Sequence, residues 1–171
     1  MRKHNPLVPQ LCILFLVYSM LNGHLVASTN TTEAPLIEQV RLKHKPAEDF
    51  KRIKEYFTGK EYMGDRMILR TKPQQSRTGL YWIVQSHRTL DQLPPETQIT
   101  LQYYEPGKNK PEQRRFILEN APKVNALYLG LNGKDAPPAE QLPLAWELRM
   151  EAPGGDLLAR RKSYLWEMDA K

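Results

Sequence analysis

Cysteine and histidine are scarce in this chain of 171 residues, which has one of the first and four of the second. Cys12 sits inside an apolar run, and His4 and His24 flank that run, which leaves only His44 and His87 further along. Neither has a partner histidine or cysteine at ligand spacing, so local motifs provide no zinc or haem site and no metal or cofactor is expected. No Gly-x-Ser-x-Gly elbow, phosphate loop or dinucleotide fingerprint occurs. Ser86 and His87 are adjacent, but neighbours on a strand point to opposite faces and do not form a dyad. Charge of one sign is also missing as a block. The 25 Lys and Arg are interleaved with 19 Asp and Glu, so no single element carries a concentrated basic face and no nucleic-acid partner is expected.

Only one long apolar run is present. Arg2, Lys3 and His4 precede Leu11 to Leu21 (LCILFLVYSML), which gives way to Asn22, Gly23 and small residues. That order predicts a secretory signal peptide over residues 1–28, cut after Ala27 or Ser28. An uncleaved membrane anchor is the alternative, but a spanning helix needs about 20 predominantly apolar residues and polar residues bound this run on both sides. The expected location is therefore secreted or periplasmic, with membrane contact only through the signal segment before cleavage. Cleavage removes two cations and no acid, so the formal charge falls from +6 to +4, and it leaves 143 residues without cysteine. Such a domain must stand on its core alone, and one near 150 residues buries roughly 70% of the surface its unfolded chain exposes. Asn30-Thr31-Thr32 is formally a glycosylation sequon.

Residues 29–64 are expected to form a polar leader, flexible or paired as a first edge strand, followed by a short helix. The helix is predicted over Pro46 to Phe57 (PAEDFKRIKEYF). Pro46 suits a first turn, Glu48 and Asp49 suit the positive end, Phe50, Ile53 and Phe57 make one apolar stripe, and Thr58-Gly59 stops it. From residue 65 to 171 the hydrophobic period falls to two. Strands are predicted at Arg66 to Thr71, Gly79 to Ser86, Thr97 to Tyr104, Gln113 to Glu119, Val124 to Leu131, Leu142 to Ala152 and Asp156 to Trp166, with most of the 14 prolines in the connections. About seven short strands at this spacing predict a mainly β fold, a single antiparallel β-sandwich of the immunoglobulin-like kind, with a small barrel as the alternative.

The alternation assigns faces. Ile99, Leu101 and Tyr103 share one side, Leu127, Leu129 and Leu131 another row, and Leu142, Leu144, Trp146, Leu148 and Met150 a third. Glu151 to Asp156 predicts a hairpin with Pro153-Gly154 at the centre of a type II turn, and Tyr164 and Trp166 are expected to share a core face of the last strand.

Two groups of residues could form a site. Glu55, Glu61 and Asp65 cluster where the helix meets the first strong strand, and a carboxylate pair is all a glycosidase requires. Tyr104 alternates outward from Tyr103, and with Arg114, Arg160 and Lys162 it makes a candidate exposed aromatic and basic surface. The leading expectation is an exported, non-catalytic binding or interaction module of the cell envelope or exterior, with another envelope protein or a glycan as partner. A small carboxylate-dependent glycan hydrolase or lyase is the first alternative, and a weak binder of anionic polysaccharide or lipid the second.

Overall fold

Ile99, Leu101 and Tyr103 are fully buried, and so are Leu127, Leu129 and Leu131. The period-two rows thus meet in one core, formed between two four-stranded sheets in the computed structural model, which describes residues 36–168. The first sheet has the order β1 (Ile37–Lys45), β3 (Gly79–Ser86), β6 (Ala126–Asn132), β2 (Met67–Arg70). The second has the order β5 (Glu112–Leu118), β4 (Thr97–Tyr104), β7 (Ala145–Glu151), β8 (Leu157–Lys162). Trp82 of β3 and Tyr103 of β4 meet across the sheets, their ring centroids 5.4 Å apart. No barrel closes. The expected signal segment, its cleavage site and the sequon lie outside the described residues.

The second sheet is antiparallel throughout, as expected, whereas the first is mixed because β2 runs parallel to β6. Its other pairings, β1 to β3 and β3 to β6, are antiparallel, so β1 and β2 point the same way from opposite edges. Parallel strands cannot be joined by a hairpin and need a crossover of a dozen or more residues. Residues 46–66 supply it and pass over the outer face of the first sheet. Among the described residues the strands number eight rather than seven, since the end of the polar leader pairs as the edge strand β1.

Four local expectations are corrected. The helix over Pro46 to Phe57 is two pieces, a 3-10 turn at Ala47–Phe50 and α1 at Ile53–Thr58, because Lys51 and Arg52 between them are extended. Leu142 and Leu144 precede β7 and are exposed, so the inward row starts only at Trp146. The last strand stops at Lys162. Tyr164 and Trp166 belong instead to α2 (Tyr164–Met168), where Tyr164 is exposed and Trp166 is half-buried on Tyr104, so neither joins the core. Finally, the hairpin at Pro153 forms, with Gly155 N–H donating to the Ala152 carbonyl at 2.8 Å. The left-handed residue is Gly155 (φ 89°), one place later than a type II turn requires, and the strand register shifts beside it.

Candidate interaction surface

The crossover arm is fixed to the first sheet by one aromatic wedge and a set of ion pairs. Phe50, 2% exposed, lies 4.9 Å from the ring of Tyr81 and 6.2 Å from that of Tyr128. Lys45 and Arg77 stand over the Phe50 ring, and Arg66 over that of Tyr128. Tyr81 fits flat on the sheet because its cross-strand partner is Gly130, and its hydroxyl donates to the Arg77 carbonyl at 2.6 Å. Burial pushes the Tyr81 phenol up to about 12, so it stays a donor.

The extended pair Lys51-Arg52 turns α1 so that Glu55 faces the sheet. Arg77 donates to both Glu55 carboxylate oxygens, at 3.0 and 2.5 Å, and these side chains are only 9% and 10% exposed. Tyr62 N–H adds a third bond to the same carboxylate at 3.1 Å. The Arg77 contact outweighs burial and holds the Glu55 carboxyl down to about 2. Gly59, left-handed at φ 64°, ends α1 by returning its N–H to the Glu55 carbonyl.

With Glu55 turned inward, the residues opposite it on the helix must point out. Ile53, Tyr56 and Phe57, at i, i+3 and i+4, are 79%, 74% and 85% exposed, and Tyr62 and Met63 beyond the helix are exposed as well. Burying one such side chain is worth about 1.5–3 kcal/mol, so the isolated chain forgoes a substantial gain at this one place. Lys51, Lys54 and Lys60 surround the face, and Lys54 sits over the ring of Tyr62. Beneath it, a cleft of about 270 Å³ is lined by Lys51, Glu55, Tyr56, Gly59, Lys60, Glu61 and Arg77.

Glu55 and Glu61 meet at Arg77, while Asp65 joins the start of α1 through Arg52, so each sequence-predicted acid is committed to a guanidinium. Glu61 accepts from Arg70 at 2.8 Å, and Arg70 also holds the carbonyls of Pro73 and Gln75. Asp65 accepts from Arg52 at 2.7 Å and from Arg66. A glycosidase acid needs a raised pKa and a partner across a sugar-wide gap, whereas Glu55 is held low.

The other predicted residues do not form one surface. Tyr104, Arg160 and Lys162 share the outer face of the second sheet with Glu147, which is buried and accepts from Arg160 at 2.5 Å. Tyr104 is half-buried, its ring 5.4 Å from that of Trp166, rather than an open platform. Arg114 aligns with Leu101 on the inward side of β5 and bonds to Glu112 and the Gln113 carbonyl. A shallow hollow beside that sheet is lined by Arg160, Arg161, Lys162 and Tyr164.

Reading the sequence missed the outward face of α1 because Phe50, Ile53 and Phe57 scan as one inward stripe. The break between them carries no Gly or Pro, and the residue that fixes the rotation, Arg77, is 22 positions beyond Glu55. The signal present was the tighter i, i+3, i+4 set of Ile53, Tyr56 and Phe57. No family model matches the chain, no curated protein matches its sequence and no solved structure matches its fold.

Proposed function

We propose that the chain is an exported, non-catalytic β-sandwich interaction module, and that it works by presenting the outer face of α1 to another component of the cell envelope. One observation carries the reading. Ile53, Tyr56 and Phe57 point outward from a helix whose opposite side is held by the Arg77–Glu55 pair, so the apolar face belongs to the folded arrangement and is not a frayed end. Export rests on the basic start and apolar run of residues 1–28.

The strand order supports the finer immunoglobulin-like reading. On that reading β1, β3 and β6 correspond to strands A, B and E, and β5, β4, β7 and β8 to C′, C, F and G. The departure is β2, which comes from the A–B connection and takes the place beside E that strand D holds in that fold. The insertion that delivers β2 is the same arm that carries the exposed face, so a common scaffold would owe its specific role to this addition.

Replacing Ile53→Ser and Phe57→Ser together tests the reading, since neither side chain supports the core. Sedimentation of the secreted chain with isolated envelopes is expected to weaken by about tenfold or more, with an unchanged circular dichroism spectrum. Equal sedimentation of the variant and the parent would refute the reading.

A further inference from the structure

Resting on that reading, we infer that the partner surface of α1 is an anionic lipid bilayer. Residues 51–63 hold four cations, Lys51, Arg52, Lys54 and Lys60, against two carboxylates, Glu55 and Glu61. Arg77 draws Glu55 toward the sheet, Arg70 offsets the charge of Glu61, whose side chain stays 55% exposed, and Arg52 is spent on Asp65. Among the described residues no ion pair joins Lys51, Lys54 or Lys60, because the acids beside them in sequence, Asp49, Glu55 and Glu61, are bound to Lys45, Arg77 and Arg70. The outward face is therefore apolar at its centre and cationic at its rim.

That combination fits a bilayer better than a protein groove. A groove that takes a helix reads anchors over two or more turns, and α1 has six residues. At an anionic bilayer the same side chains separate by depth. Ile53 and Phe57 enter the acyl boundary, Tyr56 and Tyr62 keep their hydroxyls at headgroup level, and the lysines extend their ammonium groups to lipid phosphates. The clamp holds the face ready, so docking orders little of the chain. Membrane contact through the folded domain departs from the expectation that only the signal segment meets a membrane.

The test is flotation of the secreted chain with phosphatidylcholine vesicles, with and without about one-third phosphatidylglycerol. Partitioning is expected to be about tenfold or more stronger on the anionic vesicles and to fall as salt rises. Phe57→Ser, and separately the set Lys51→Gln, Lys54→Gln and Lys60→Gln, should each remove most of it. The charge-matched set Lys110→Gln, Lys123→Gln and Lys134→Gln, all on exposed loops, should leave it intact. Absence of vesicle binding by the parent, equal binding to neutral vesicles, or equal losses from the two lysine sets would each overturn the inference. If the parent ignores vesicles while Ile53→Ser/Phe57→Ser still weakens envelope association, and protease-shaved envelopes no longer bind, the partner is a protein and only the lipid inference falls. If neither assay responds, the interaction reading falls with it.

Discussion

Arg77 holds Glu55 through two guanidinium N–H groups, at 3.0 and 2.5 Å, and so joins the loop before β3 to the helix that crosses the first sheet. Removing one partner of a nearly buried pair leaves the other charge without compensation. Arg77→Met is therefore expected to cost about 2–3 kcal/mol in urea unfolding and to raise hydrogen exchange in residues 51–60. Adding Glu55→Gln to that variant should recover part of the loss, because the orphaned carboxylate goes with it.

Acid should act on the same pair. The Glu55 carboxyl titrates near 4.5 when free and is held down to about 2 by Arg77 in the folded chain, so unfolding takes up a proton between those values. The stability this pair contributes is complete above about pH 4.5 and is lost as pH falls toward 2. Proteolytic nicking of the arm, followed from pH 6 to about pH 2, should increase over that window in the parent chain and show a smaller increase in Glu55→Gln.

Gly130 is expected to reject any side chain. A Cβ there would collide with Tyr81 Cε1, and the Tyr81 ring is the platform on which Phe50 rests. Gly130→Ala should cost about 1–3 kcal/mol and alter the near-ultraviolet circular dichroism of the Phe50, Tyr81 and Tyr128 group, with the far-ultraviolet spectrum little changed.

Asn132 holds the loop that carries Arg77. Fully buried, it donates to the carbonyls of Lys72 and Ser76 at 2.7 and 2.9 Å and accepts from Lys72 N–H at 2.9 Å. Asn132→Asp would face a carboxylate oxygen with two carbonyls, and is expected to cost about 3 kcal/mol, or a fall of roughly 10 °C in Tm, with arm exchange rising as it does in Arg77→Met.

The core was legible in the sequence and the arm was not, for a physical reason visible in particular residues. Ile99, Leu101 and Tyr103 alternate because a strand buried on one face must, and period two survives any error in strand order. Ile53 and Phe57 depended on where a helix begins. Two extended residues, Lys51 and Arg52, turn Ile53 and Phe57 outward while Phe50 stays buried, and no Gly or Pro in KRIKEYF marks that break. The strand at β2 was legible but its parallel pairing was hidden, since it joins Met67 to Leu127 across sixty positions. Of the proposed acidic cluster, the shared Arg77 that brings Glu55 and Glu61 together was not legible, nor were Arg70 and Arg52, which hold Glu61 and Asp65.

The central claim is that the outer face of α1 is the working surface, open in the isolated chain and covered in use. Phe57→Cys in a Cys12→Ser background gives a single thiol for a fluorophore, with Leu144→Cys as an exposed control on the far sheet. Quenching by aqueous iodide measures access directly. Both labels should be fully quenchable in the isolated chain, and only the label at 57 should become shielded when envelopes are added. Shielding at 57 without envelopes, or equal quenching at both positions with them, would contradict the account.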